Sequence, residues 1–109
     1  MSILFQLYND IDSLKPTLRE LTKVWQQGDH VLLLANTAAY IDWIFAYLSE
    51  LELEPDIATS INWYVLKVDV EQLAPTTKQN IDFESHQIKI LTDDEWVALT
   101  QQVSKTITL

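Results

Sequence analysis

Five aspartates stand where a divalent cation could be bound: Asp10, Asp12, Asp69, Asp93 and Asp94. Each follows an apolar segment that reads as a strand, and the carboxyl ends of parallel strands share the edge of a sheet where sites form. Carboxylate oxygens are good ligands for hard cations, so Asp10, Asp69 and Asp93 could serve a metal-dependent hydrolase. The same positions suit helix caps and first-turn acids. Both interpretations are open, and we favour capping, with no metal site.

The chain has few residues suited to other kinds of catalysis or ligand binding. The chain has no cysteine, which excludes a thiolate metal site and a cysteine nucleophile. His30 and His86 are far apart in sequence and are expected at the surface, and no serine lies in a nucleophile-elbow pattern. The single glycine, Gly28, precedes a strand, so a glycine-rich phosphate loop after a strand is missing. We therefore expect no catalytic residues and no cofactor on this chain.

An aromatic set on one predicted helix is the strongest candidate for binding. Tyr40, Trp43 and Tyr47 recur at i, i+3 and i+7, beside the apolar stripe that the helix needs for its core. Protein interfaces are enriched in Trp and Tyr, and monomers seldom expose large apolar patches. Apolar residues at helical spacing are also the usual mark of a core. The set is thus a candidate interface, with an ordinary core as the alternative.

Strand and helix patterns alternate along the chain and define the elements that would hold these residues. The short run Val31–Ala35 is wholly apolar without alternation, which is typical of a strand covered on both faces. Apolar stripes predict one helix before it, ending at Gly28 as a left-handed cap, and another after it that runs to about Leu51. The other predicted elements are strands at Ile3–Tyr8, Ile61–Leu66, Ile88–Leu91 and Lys105–Leu109, a short helix at Val70–Ala74, and a last helix started by the capping box Thr92/Glu95. The expected caps of the first two long helices are Asp12 or Ser13, and Asn36 or Thr37.

This order predicts an α/β fold: three α/β/α layers around a mainly parallel, five-stranded sheet. The 109 residues, 48% of them hydrophobic, fit one domain over 1–109. A net charge of −9 disfavours direct binding to nucleic acid or to anionic membranes. With no membrane-length apolar run and no signal-peptide pattern at the start, we predict a cytoplasmic protein.

Four segments, in chain order, resemble the TusB/DsrH family of sulfur-relay subunits. They are Met1–Leu4, Gly28–Leu34, Trp63–Asp69, and Trp96–Thr100 preceded by Leu-Thr-Asp. The resemblance implies a DsrE/F/H-like α/β/α domain. It also implies a heterohexamer with two copies each of this chain and of TusC/DsrF-like and TusD/DsrE-like subunits. In the Tus system that complex passes a persulfide sulfur towards 2-thiolation of tRNA wobble uridine, and the TusD-type subunit carries the cysteine.

The chain departs from the family pattern at three places. Asn36-Thr37 stands where Asp-Gly is frequent, Glu71–Ala74 replaces an Ala-Arg-Gly segment, and Leu21 occupies the position of a cysteine found in sulfur oxidisers. Because a persulfide needs a thiol, the lack of cysteine argues against the sulfur-oxidation branch and favours a non-catalytic subunit of the TusB branch, or a divergent relative that has lost the pathway. The alternative is an interaction module of the same fold that associates with itself through the Tyr40/Trp43/Tyr47 face and transfers no sulfur.

Overall fold

Five strands form one parallel sheet in the order β4-β3-β2-β1-β5 in the computed structural model, which describes residues 2–51, 53, 57 and 60–109. The strands are β1 Ile3–Leu7, β2 His30–Leu33, β3 Asn62–Leu66, β4 Ile88–Leu91 and β5 Lys105–Thr108. The helices are α1 Ile11–Val24, a 3-10 helix Ala35–Tyr40, α2 Ile41–Glu50, α3 Lys67–Glu71, α4 Pro75–Asn80 and α5 Asp93–Gln102. The predicted α/β class and the parallel five-stranded sheet are confirmed.

Strand β2 lies in the middle of the sheet, between β1 and β3. Its residues Val31, Leu32 and Leu33 are completely buried, as predicted for a strand covered on both faces. The prediction carried the strand to Ala35, which is wrong. Ala35 has a φ of 51° and begins the 3-10 helix, so the extended backbone ends before it.

Helices cover both faces of the sheet, which gives the three layers. On one face, α1 and α2 each bury a stripe of apolar side chains against the sheet. On the other, α5 packs its Leu99 against Leu4 of β1 and Leu32 of β2. Alternate residues of one strand point to opposite faces, so neighbours such as Leu4 and Phe5 belong to different cores. The stripes of α1 and α2 are Leu14, Leu18 and Leu21, and Ile41, Ile44, Tyr47 and Leu48.

Helix ends differ most from the sequence predictions. Helix α1 begins at Ile11, so Asp12 and Ser13 lie in its first turn and neither is the cap. Gly28 has the expected positive φ, 84°, but α1 has already ended at Val24. Gly28 instead lies in a turn that is closed by the Asp29 amide donating to the Gln26 carbonyl oxygen, 3.0 Å.

Of the other helices that the sequence predicted, one has the expected start and two are shifted, while α4 was not predicted. The capping box of α5 is present: the Thr92 hydroxyl accepts from the Glu95 amide, and the Thr92 amide donates to the Glu95 carboxylate. Helix α2 begins at Ile41, after the 3-10 helix that contains Asn36 and Thr37. The short helix predicted at 70–74 spans Lys67–Glu71, because the chain turns into it directly after β3. In the part of the chain described, no helix has the length and apolar character needed to cross a bilayer.

Candidate functional site

The five aspartates do not converge on a metal site. Among residues 2–51, 53, 57 and 60–109, no three His, Asp or Glu side chains lie close enough to hold an ion together. Asp10 stands at the N-cap position of α1 without a capping hydrogen bond, and Asp93 lies in the first turn of α5. Asp69 is engaged elsewhere, since its Oδ2 accepts from the Ala35 amide at 2.8 Å. The hydrolase built on Asp10, Asp69 and Asp93 has no geometric basis here.

Hydrogen bonds tie together the loops at the carboxyl ends of β1, β2 and β3. Asp69 holds the left-handed Ala35, a conformation that non-glycine residues rarely adopt without support. The buried Thr37 hydroxyl accepts from the Asn9 amide at 2.9 Å and donates to the Asn9 carbonyl at 3.1 Å. A cavity of about 170 Å³ remains between these loops, lined by Tyr8, Asn9, Asp10, Ser13 and Leu34–Thr37. The hydrogen bonds of Asp69 and Thr37 fix the shape of this edge of the sheet.

A buried carboxylate organises the opposite edge of the sheet. Asp29 is 2% exposed; its Oδ1 accepts from the Ile3 amide at 3.0 Å and its Oδ2 from the Gln26 amide at 2.9 Å. The side chain thus joins the start of β1 to the turn that leads into β2. The Gly-Asp pair of the second resembling segment has a structural role: Gly28 provides the positive φ of the turn, and Asp29 ties the turn to β1.

His30 is half-buried at the amino end of β2, where the sequence led us to expect a surface residue. Its ring stacks on Tyr64 of β3 with centroids 5.7 Å apart, and Nδ1 lies 2.9 Å from the Tyr64 hydroxyl oxygen. Burial lowers the pKa of His30, and the neighbouring Asp29 carboxylate partly opposes that shift. Burial also raises the pKa of Tyr64. Both side chains are therefore neutral near pH 7. They form a polar pair that joins β2 to β3.

The His30 environment predicts a pH-dependent contribution to stability. A lowered pKa means that the unfolded chain binds the proton more readily, so the folded state should lose stability as the pH falls through about 6.5. In His30→Gln that contribution is absent. The free energy of unfolding, from urea denaturation, should favour wild type over His30→Gln more at pH 8 than at pH 5.5. Tyr64→Phe, the control, should keep the wild-type trend; a His30→Gln difference that grows on acidification would contradict this reasoning.

Of the three aromatic candidates, Trp43 is the one that presents substantial surface. Its side chain is 36% exposed, whereas Tyr47 is 7% exposed and belongs to the core between α1 and α2. Tyr40 is half-buried and packs against the same core. The Trp43 ring lies flat on the Tyr47 ring, with centroids 5.4 Å apart and planes 5° from parallel. The predicted face is therefore part core and part surface: Tyr47 supports Trp43 from within, and Tyr40 packs against the core.

Two side chains of α1 hold Tyr47, on which Trp43 stacks. The Arg19 Nε donates to the Tyr47 hydroxyl oxygen at 2.9 Å, and the Lys15 ammonium lies 5.5 Å from the centre of the Tyr47 ring. A rigid aromatic anchor with cations beside it has the composition of a binding hot spot, which is enriched in Trp, Tyr and Arg. The aromatic periodicity did not reveal Lys15 and Arg19; their i, i+4 spacing on α1 was the available signal.

A second contact stiffens α2 next to Trp43. The His86 ring stacks on Phe45 with centroids 4.4 Å apart, and its Nε2 lies 3.2 Å from Asp42 Oδ1. The loop before β4 is thereby held against α2. A side chain on a backbone restrained from both sides loses little conformational entropy on binding, which favours tight association.

Comparison of the chain with models of known protein families gives no match, and comparison with curated proteins gives none. A functional assignment for this chain therefore starts from the geometry around Trp43 and Tyr47 on α2 and the side chains of α1 that contact Tyr47.

Proposed function

We propose that the chain is a non-catalytic subunit of a cytoplasmic sulfur-relay complex that supports 2-thiolation of tRNA wobble uridine. The structural observation that carries the proposal is Trp43, exposed by 36% yet stacked on the buried Tyr47 and backed by α1. Such an anchor suits a permanent subunit contact better than a catalytic role. The pathway is supported by the four segments that resemble the TusB/DsrH family.

The fold is compatible with that resemblance. A three-layer α/β/α domain with a parallel five-stranded sheet is what the family implies, and the chain has that architecture. Two of the resembling segments supply side chains that hold the sheet edges: Asp29 at the amino edge, and Asp69 at the carboxyl edge. The similarity therefore concerns residues that shape this fold.

The proposed role is structural because the relayed sulfur needs a thiol. The sequence has no cysteine, so no persulfide forms on this chain. In the proposed complex the persulfide belongs to the TusD-type subunit, and this chain holds the TusC- and TusD-type subunits in their assembly. The net charge of −9 also makes this chain a poor surface for tRNA, which the partner subunits would bind.

The alternative is a module that associates with itself through the same surface. The exposed Trp43 is compatible with that reading as well, since an anchor of this kind could meet a second copy of the chain. The two candidates differ in what a purified assembly contains.

Co-expression separates them. The tagged chain is produced with the TusC- and TusD-type proteins of its own host. Native mass spectrometry then measures the mass of the purified assembly. We expect a hexamer with two copies of each subunit. A chain that purifies alone, or with itself only, while the other two proteins associate without it, would contradict the proposed function.

A further inference from the structure

The cations of α1 form a row next to the Trp43 anchor. Lys15, Arg19 and Lys23 stand at i, i+4 and i+8, so they share one face of the helix. All three are exposed, and they are three of the seven Lys and Arg residues in the sequence. Nearly half of the positive charge of an acidic protein is thus placed on one helix face.

The contacts join this row to Trp43. Arg19 bonds the Tyr47 hydroxyl at 2.9 Å, Lys15 lies 5.5 Å from the Tyr47 ring centre, and Trp43 stacks on that same ring. We call Lys15, Arg19, Trp43 and Tyr47 the basic-aromatic patch. Lys23 extends the row, and its Nζ forms an exposed ion pair with Glu20 Oε1 at 3.4 Å.

The charge around the patch selects its occupant. Elsewhere the chain is strongly acidic, with 16 Asp and Glu residues against seven Lys and Arg. An acidic partner is repelled by most of this surface and attracted at the patch, so the encounter is oriented towards Trp43. Repulsion elsewhere combined with local attraction is an effective source of specificity.

A second copy of the chain is a poor occupant of the same surface. In a two-fold dimer the patch would meet itself, so Lys15 and Arg19 of both protomers would be brought into one interface. Two chains of charge −9 also repel each other at long range. The charge arrangement therefore disfavours self-association through Trp43.

We infer that the basic-aromatic patch docks an acidic segment of a different protein, with Trp43 as the apolar anchor and Lys15 and Arg19 as its charged margin. This deepens the proposed function: it rests on that function for the partner's identity, as a TusC- or TusD-type subunit, while the partner's charge follows from the patch.

The test compares two double variants of equal charge. Lys15→Glu/Lys23→Glu reverses the row and leaves Arg19 on Tyr47; Lys67→Glu/Lys89→Glu is the control, altering two exposed lysines that lie after β3 and on β4. Both doubles lower the net charge by the same amount. We expect the first to bind the co-expressed subunits about tenfold or more weakly, and the control to stay within about threefold of wild type. Equal losses of affinity in both double variants, or no loss of affinity in Lys15→Glu/Lys23→Glu, would overturn the inference.

A second readout uses the complex as purified from the host at low salt. A carbodiimide joins a lysine amine directly to a carboxylate that contacts it, and mass spectrometry locates the linked residues. We expect links from Lys15 or Lys23 to a cluster of Asp and Glu residues in the partner. Intermolecular links that involve only Lys67 or Lys89, a chain that emerges without a partner, or a homodimer that Trp43→Ala dissolves would overturn the inference.

The outcomes also separate the inference from the proposed function. An acidic partner linked to Lys15 that is neither a TusC- nor a TusD-type protein would support the patch and contradict the sulfur-relay role. A hexamer with those subunits that tolerates Lys15→Glu/Lys23→Glu would support the role and contradict the patch.

Discussion

Replacing Trp43 with Ala should weaken assembly with partner subunits by about 2 kcal/mol or more, which is roughly 30-fold in Kd. The same change should lower the free energy of unfolding of the isolated chain by about 2–3 kcal/mol, below the roughly 3–5 kcal/mol of a fully buried Trp, because about a third of the residue is exposed. The Trp43 ring stacks on Tyr47, and such aromatic pairs contribute about 0.5–1.5 kcal/mol beyond their buried area, so part of this loss comes from the stack. Affinity titrations and urea denaturation measure the two losses separately.

Val97→Ala is the matched control for Trp43→Ala. Val97 is 55% exposed on α5, which packs on the other face of the sheet, so its truncation also removes exposed apolar area. We expect Val97→Ala to leave assembly unchanged. If Trp43→Ala instead destabilises the isolated chain by the roughly 3–5 kcal/mol typical of a buried Trp while assembly is unaffected, then Trp43 is a core residue and the interface lies elsewhere.

Replacing Asp29 with Ala should destabilise the isolated chain by about 2–4 kcal/mol. The change leaves the Ile3 and Gln26 amides without their acceptor in a buried place, and each such loss costs about 1–3 kcal/mol. Asp29→Asn should lie between wild type and Asp29→Ala, because one amide keeps an oxygen acceptor while the other faces an amide nitrogen. Urea denaturation at neutral pH gives the free energy of unfolding of each variant.

Asp94→Ala is the control for Asp29. It removes an exposed carboxylate from the first turn of α5, where the interaction with the helix dipole contributes about 0.3–1 kcal/mol. An Asp29→Ala chain no less stable than Asp94→Ala would refute the structural role of the Gly28-Asp29 segment. Assembly measured with folded Asp29→Asn should match wild type, since Asp29 lies at the amino edge of the sheet and is not exposed for docking.

The parts of the fold that depend on local patterns were predictable. Val31–Leu33 is short, apolar and flanked by turns, and that combination sufficed to identify a central strand. Thr92 and Glu95 form a cap within four consecutive residues, so the start of α5 could be predicted as well. Patterns of this kind need no knowledge of distant residues.

The misplaced boundaries depend on partners distant in the chain. Thr37 was expected to cap a helix, but its hydroxyl is taken by the backbone of Asn9, 28 residues away in sequence. Asp69 was expected to cap a helix or bind an ion, and it instead holds the Ala35 amide of a neighbouring loop. Such a side chain bonds whichever backbone groups the fold brings to it, and the sequence does not say which amide will be near.

The candidate site was partly predictable for the same reason. Helical spacing placed Tyr40, Trp43 and Tyr47 near one another on a helix, but it could not say how α1 would pack beside them. Tyr47 is buried because Arg19 and Lys15 of α1 lie against it, and Trp43 remains exposed because no described element covers it fully. The division between core and surface is set by packing between helices.

The level of 2-thiolated wobble uridine in tRNA from a host strain that lacks this gene is the most direct test of the proposed function. Nucleoside mass spectrometry quantifies it in the deletion strain and after complementation with wild type, Val97→Ala or Trp43→Ala. The proposed function predicts that thiolation falls in the deletion strain, returns with wild type and Val97→Ala, and fails to return fully with Trp43→Ala. Normal thiolation in the deletion strain would contradict it.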